Sequence, residues 1–318
     1  MFLMNLIGLI LSIVVLVWGA DKFVDNAALI AKRLGLSELT IGLTIVALGT
    51  SAPEIFVGIS SVLSGTEELA LGTVIGSNIS NIALIFGVSC IGLSAMPKKT
   101  PPIQFFAFFL SAIVLALAML DLQISSYESI SLLLVFLIFT YVTFKYRTGE
   151  QESDNNPVNP IQSKILFTSL MLLIGLIALI LGSRYAVLNA KEIAIMMNVS
   201  QLVIGLTIIA IGTSLPELAA TISAILKKKN DMVVGNVIGS NVLNITLVVP
   251  IIGFFSNVNL TESILSRDML AMFIATILFI IVASLYSTKV FNVFISRVIG
   301  VIFVGGYLVY ILLVSNIL

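Results

Sequence analysis

Residues 39–54 read LTIGLTIVALGTSAPE, and residues 202–217 read LVIGLTIIAIGTSLPE. The two stretches lie 163 positions apart and agree at twelve of sixteen positions, differing only at Thr40/Val203, Val46/Ile209, Leu48/Ile211 and Ala52/Leu215. Each sets a glutamate, Glu54 or Glu217, inside a strongly apolar run. A second pair follows at the same offset, GTVIGSNISN at 72–81 and GNVIGSNVLN at 235–244. The chain is a duplicated unit, and each copy carries one intramembrane acid among hydroxyls and amides. That layout reads as a cation site at the join of two repeats.

Composition sets the class. Of 318 residues, 59% are hydrophobic and only 10% charged, a balance that suits a polytopic membrane protein better than a soluble core. The first apolar run lacks a basic leader, so it reads as a retained span rather than a cleaved signal. There is no histidine, and Cys90 is the one cysteine. Intrachain disulfides, Cys-rich metal sites and His-based catalysis are therefore excluded. The net charge is zero, and no basic cluster with interleaved aromatics points to nucleic acid.

Apolar windows fall near 2–20, 38–63, 70–95, 103–120 and 127–144, then near 164–182, 201–226, 232–255, 268–286 and 294–315. Each approximates the ~17–25 residues that a helix needs to cross hydrocarbon. The runs are too long for barrel strands and lack period-two alternation. The expected fold is an all-α polytopic membrane protein of ten transmembrane helices, five per repeat. Thirteen basic residues gather on one side: Lys22, Lys32, Arg33, Lys98, Lys99, Lys145, Arg147, Lys164, Lys227, Lys228, Lys229, Lys289 and Arg297. Only Arg184, Lys191 and Arg267 fall on the other. The positive-inside rule places the thirteen in the cytoplasm and both termini outside.

Five spans per repeat is an odd number, so the halves must be inverted. Loop charge agrees: SGTEE at 64–68 is acidic, whereas its counterpart KKKND at 227–231 is basic. The expected organisation is a first five-helix repeat over 1–144, a polar cytoplasmic linker over 145–163 and a second, inverted repeat over 164–318. The linker is flexible by composition and too short to be a domain.

Ala47, Thr50, Ser51 and Glu54 share one helical face, and Ala210, Thr213, Ser214 and Glu217 repeat it. Ser77 with Asn81, and Ser240 with Asn244, are i, i+4 pairs on the following spans. Every side-chain donor atom in this set is oxygen, which hard cations such as Ca²⁺ and Na⁺ prefer. Pro53 and Pro216 remove the hydrogen bonds to the Gly49 and Gly212 carbonyls, so both spans should break there. The break should free backbone carbonyls as ligands and supply a hinge. An acid at mid-span costs roughly 2.5–3.5 kcal/mol on insertion scales, and two facing acids repel unless a cation sits between them. A site that is always filled, by Ca²⁺ or by Na⁺ or protons, is the physical basis of exchange.

These motifs resemble the two α-repeats of the cation/calcium antiporter superfamily, and GTSAPE and GTSLPE are most similar to its sodium/calcium exchangers of prokaryotic type. The resemblance implies Glu54 and Glu217 as central Ca²⁺ ligands that also serve Na⁺. It implies backbone carbonyls of Ala47, Thr50, Ala210 and Thr213 as further ligands. Ser51, Ser77, Ser214 and Ser240 would serve Na⁺, with Asn81 and Asn244 completing the centre. It also implies two N-terminal helices sliding against the remaining core. Potassium-dependent members carry aspartate where this chain has Asn244, which argues against K⁺ co-transport.

The expected activity is Ca²⁺/Na⁺ antiport, with no enzymatic chemistry, no resident cofactor and a self-sufficient monomer in a prokaryotic plasma membrane. A proton/calcium antiporter on the same scaffold stays open, and a cation channel less so. Asn78 and Asn241 lie off the shared face and read as structural. Asp25 reads as a solvated or gating-helix charge, Lys227–Lys229 as topology determinants, and Cys90 as a small buried hydrophobe.

Overall fold

The N-terminal apolar run does not stop at the width of hydrocarbon. In the computed structural model, which describes residues 1–92, 97, 100–147, 165–199, 210–255, 258–260, 262, 264–286 and 292–314, helix α1 spans Phe2–Leu34. No proline or glycine interrupts it between Ala20 and Leu34. Gly35 then ends it with φ 65°, a left-handed backbone that glycine adopts without Cβ strain. At ~1.5 Å per residue α1 is about 50 Å long. Asp21, Lys22, Asp25, Lys32 and Arg33 therefore lie on the helix itself, where the 2–20 window had put a boundary. In the second half, α7 spans Ile165–Met196 and is similarly long.

Between them come α2 (Glu38–Thr50) and α3 (Ala52–Ser64), bent by 44° at Ser51. Helix α4 runs through Glu67–Ser80, a π-turn at Asn81–Phe86 and Gly87–Gly92. Helices α5 (Pro102–Ala118) and α6 (Ser126–Lys145) follow. After α7 come α8 (Leu215–Leu226), α9 (Asn230–Phe255), α10 (Ile264–Leu285) and α11 (Val293–Val314). Among the described residues, seven helices are long and apolar enough to cross a membrane, and the bent α2/α3 pair makes an eighth. Helices α5 and α8 are apolar but shorter. Residues 201–209 of the seventh expected span and 148–163 of the expected linker lie outside the described residues.

The most apolar windows of α4 and α9 are 78% and 83% buried, against 17–22% for α1, α7 and α11. Helices α4 and α9 are therefore the centre, and the other three form its flanks. Leu11, Val17, Leu173, Leu181, Ile302 and Leu308 point outward from those flanks, an apolar surface suited to lipid. With its many apolar helices, this is a multi-pass membrane protein.

Glycine sets two close helix approaches. A Cβ on Gly19 of α1 would stand 2.5 Å from the Leu179 amide of α7, and one on Gly182 would stand 2.5 Å from that of Leu16. A Cβ on Gly42 of α2 would lie 2.3 Å from the Met232 carbonyl of α9, and one on Gly235 would lie 2.3 Å from that of Leu39. Backbone-to-backbone contact of this kind is how membrane helices gain dispersion energy where lipid removes the hydrophobic drive. The α2/α9 contact also packs the first repeated motif of one half on the second motif of the other.

One feature departs from the all-α expectation. Strand β1 (Gln123–Ile124) pairs antiparallel with β2 (Val258–Asn259), with Gln123 opposite Asn259. Two residues per strand leave no period-two pattern for sequence reading to find. The ladder ties the connection after α5 to the one after α9. At another end, the Ser37 amide donates to the Arg147 carbonyl at 3.0 Å, and Lys229 Nζ lies 3.4 Å from Glu38 Oε1.

Candidate functional site

Proline shapes the site by starting helices as well as ending them. Pro53 and Pro216 occupy the first turns of α3 and α8, where a missing N–H costs nothing. The residues before those helices, Ser51 (φ −82°, ψ 4°) and Ser214 (φ −97°, ψ 10°), take the bridge conformation that interrupts each span. Glu54 and Glu217 consequently sit in the first turn of a new helix, at its positive end. Each dipole favours a negative charge there by roughly 0.3–1 kcal/mol, and by more in buried geometry.

The freed carbonyls fare differently from expectation. The Gly212 carbonyl accepts the Ser183 hydroxyl of α7 at 3.3 Å. A neighbouring helix therefore satisfies a carbonyl that the sequence reading had left to a cation. The Ala47 carbonyl accepts the Ser51 amide at 2.9 Å and lies 3.4 Å from Thr50 Oγ1. Ala210 and Thr213 form the turn before the second break, and Thr213 is half-buried.

Both carboxylates are buried, with Glu54 2% and Glu217 1% exposed. Ser51 donates to Glu217 Oε1 at 3.3 Å, so a first-half hydroxyl serves the second-half acid. Ser77 of α4 donates to Glu54 Oε1 at 3.5 Å. Thr50 Oγ1 lies 3.5 Å from Ser240 Oγ of α9, again across the halves. Ser214 accepts from Ser80 of α4 at 2.9 Å. Asn244 Nδ2 donates to Asn78 Oδ1 at 3.3 Å.

Asn81 and Asn244 each open a π-turn, Asn81–Phe86 in α4 and Asn244–Val248 in α9. Part of the cause in α9 is local: Thr246 Oγ1 donates to the Val242 carbonyl at 2.6 Å and competes with the ladder. Thr44 does the same to the Thr40 carbonyl at 2.7 Å, within the π-turn Gly42–Val46 of α2. Such turns often accompany functional sites, because they displace side chains and backbone groups from regular register.

The site's most informative property is what stays unpaired. Among buried side-chain atoms, Glu54 Oε2, Glu217 Oε2, both polar atoms of Asn81 and the Oδ1 atoms of Asn241 and Asn244 have no hydrogen-bond partner. Buried polar atoms are ordinarily satisfied, and an orphaned carboxylate oxygen is the costliest exception. A cation between the two carboxylates would satisfy their free oxygens. Among the described residues no cluster holds three or more Asp, Glu, Cys or His groups, so two carboxylates are the charge available. Asparagine and hydroxyl oxygens would have to supply the rest.

Eleven of the twelve sequence-nominated side chains are described, and ten of those are buried, Thr213 being the half-buried one; the side chain of Ala210 is not described. The structure links Ser51 to Glu217, Ser77 to Glu54 and Thr50 to Ser240, while Asn81 is buried without a direct partner. Three further side chains join this network. Asn78, read from the sequence as structural, holds Asn244. Ser80 holds Ser214, and Asn236 accepts from both Thr50 and Ser240, each at 3.4 Å. Their positions in the other copy hold Asn241, Leu243 and Thr73, so a search for matched residues passes over two of them. Asp25, read as a solvated or gating-helix charge, lies half-exposed on α1 and pairs with Lys227 at 2.6 Å.

Fold and site together define a multi-pass helical membrane protein with a buried oxygen centre built from both halves of its chain. The model of the sodium/calcium exchanger protein family matches residues 4–145 and 167–316. The chain belongs to that family of antiporters, which are ion transporters rather than enzymes. It is 31% identical over 314 residues to the Escherichia coli inner membrane protein YrbG, covering 95% of this chain and 94% of that one. It is 45% identical over 100 residues to the sodium/calcium exchanger MaX1 of Methanosarcina acetivorans, covering 31% and 28% of the two chains. The solved structure of the sodium-calcium exchanger NCX_Mj soaked with Na⁺ and Sr²⁺ superposes with TM-score 0.82 at 31% identity, covering 98% of this chain and 99% of that one.

Proposed function

We propose that the protein exchanges Ca²⁺ for Na⁺ across a membrane by alternating access, with Glu54 and Glu217 as central ligands. The observation that carries this reading is the pair of buried carboxylates, each with one oxygen satisfied by a serine and the other left without a partner. Ca²⁺ takes 6–8 oxygens, and a divalent ion neutralises both acids at once. Two or more Na⁺ ions could do the same through the carboxylates and surrounding neutral oxygens. The proposed ligand set is Glu54, Glu217, the carbonyls of Ala47, Thr50, Ala210 and Thr213, the hydroxyls of Ser51, Ser77, Ser214 and Ser240, and the amides of Asn81 and Asn244. No resident cofactor is required; both ions are substrates.

The same reading takes ten spans: the seven long helices, the bent α2/α3 pair, α5, and the expected span at 201–226 to which α8 belongs. It takes the halves, 1–144 and 164–318 about a linker at 145–163, as inverted. The contact of Lys229 with Glu38 supports this. It sets the loop after α8 beside the start of α2, whereas the matching loop at 64–68 follows the end of α3. Basic residues then face the cytoplasm, and both termini lie outside a plasma membrane. Each half contributes ligands, so a monomer suffices.

The test is ⁴⁵Ca²⁺ uptake into proteoliposomes loaded with Na⁺ or choline at fixed and varied pH. Uptake that needs internal Na⁺ supports exchange. Uptake driven by a pH gradient without Na⁺ moves the protein to proton coupling, and uptake without any counter-ion points to a channel.

A further inference from the structure

We propose that Asn236 is a positioning residue that turns the Ser240 hydroxyl toward a bound Na⁺ and holds the Thr50 side chain beside it, an inference that rests on the exchange reading above. Asn236 lies one turn before Ser240 on α9 and is 2% exposed. Its Oδ1 lies 3.4 Å from Thr50 Oγ1 and 3.4 Å from Ser240 Oγ, which are themselves 3.5 Å apart. A hydroxyl has one proton and two lone pairs. When the proton goes to an amide oxygen behind it, both lone pairs remain for a cation in front. When the proton swings into the site, it repels the cation.

One amide oxygen thus accepts from two hydroxyls that come from opposite halves. Thr50 also has the Ala47 carbonyl at 3.4 Å and the Glu217 carboxylate as acceptors, whereas Ser240 leans on Asn236. Asn236 Oδ1 is the acceptor common to both hydroxyls. It also breaks the two-fold pattern, since position 73 holds threonine.

The effect should fall on Na⁺ more than on Ca²⁺. A divalent ion draws most of its binding energy from the carboxylates, whereas a monovalent ion leans more on neutral oxygens. Asn236→Leu keeps the volume and removes the acceptor. Asn236→Asp keeps an acceptor oxygen in the same place, whether the carboxyl is ionised or protonated on its other oxygen.

The experiment measures two quantities in proteoliposomes: the Na⁺ concentration for half-maximal Na⁺-driven ⁴⁵Ca²⁺ flux, and the half-saturating Ca²⁺ for Ca²⁺/⁴⁵Ca²⁺ self-exchange, which needs no Na⁺. For Asn236→Leu the expected result is a rise of about tenfold in the Na⁺ value with Ca²⁺ self-exchange within about twofold. Asn236→Asp should return the Na⁺ value to within about threefold of the native protein. If Asn236→Leu fails to fold, Asn236→Asp decides: loss of Na⁺ affinity there overturns the proposal. An unchanged Na⁺ value in Asn236→Leu, or equal weakening of both ions that aspartate does not restore, also overturns it. Native protein that self-exchanges Ca²⁺ but ignores Na⁺ overturns the exchange reading itself, and this shows before any variant is made.

Discussion

Glu54 and Glu217 hold equivalent places at the heads of α3 and α8, yet each takes its serine partner differently. Glu217 is served by Ser51 on the broken helix of the other half, and Glu54 by Ser77 on the next helix of its own half. If one ion lies between them, it cannot tell which acid is missing. Glu54→Gln and Glu217→Gln should therefore each cut ⁴⁵Ca²⁺ flux by more than about tenfold, and to a similar degree, since each removes one of two buried charges. Near-normal flux in either variant refutes the shared centre. At this scale the sequence singled out, where the copies agree, side chains that the structure buries together. The matched glutamates and serines and the Asn81/Asn244 pair were nominated, because they recur on one helical face in both copies. Asn236 and Ser80 were missed because their counterparts are Thr73 and Leu243. Asn78 was set aside for lying off one helical face. Most of α4 is buried, so a residue off the shared face can still meet another helix, as Asn78 meets Asn244.

At the scale of the element, close approach and ion pairing can be told apart by their cost. Gly235 meets the backbone of α2, which cannot move aside as a side chain can, with Leu39 O at 2.3 Å and Leu43 N at 2.9 Å from a Cβ placed there. Gly235→Ala should destabilise the detergent-solubilised protein by several °C in Tm, as overpacking of about 1–3 kcal/mol does. An unchanged Tm would show that α2 and α9 part more easily than their spacing indicates. Lys227 poses the opposite case. It bridges Asp21 at 2.5 Å and Asp25 at 2.6 Å, pinning the charged half of α1 to the end of α8. Both carboxylates are 44–45% exposed, so the pair contributes little to stability. If α1 shifts against the core during turnover, the same pair holds one end of that motion. Lys227→Glu should leave Tm nearly unchanged yet alter the exchange rate by about threefold or more, and the swap with Asp25→Lys should return the rate toward native. A rate that neither change affects would mean that α1 turns over without releasing this contact. Proline at the breaks was legible as a kink. That each proline also starts a helix, with its glutamate at the positive end, needed the backbone angles at Ser51 and Ser214. The π-turns of α2, α4 and α9 needed coordinates too, since a single i→i+5 turn is too short to leave a mark on the hydrophobic pattern.

For the whole molecule, the duplicated motifs made a helical membrane protein of two like halves readable, whereas the length of α1 and the β1/β2 ladder were not. Charged residues continue α1 past its apolar run because nothing in 21–34 breaks a helix, and a hydropathy window sees only where the apolar run stops. Orientation remains the strongest claim to test at this scale, because inversion makes a sharp demand on side. Position 66 and position 229 match across the copies, being 163 residues apart. Parallel halves would put both on one side of the membrane, and inverted halves must put them on opposite sides. In a background with Cys90 replaced, Thr66→Cys should react with an impermeant maleimide added outside intact cells, and Lys228→Cys only after the membrane is opened. Both positions are solvent-exposed turns beyond helix ends, so reagent access is limited by the membrane rather than by packing. Labelling of both from outside would break the inverted arrangement. It would also remove the reason for two acids to meet at mid-membrane, since only opposed halves bring equivalent helix breaks face to face.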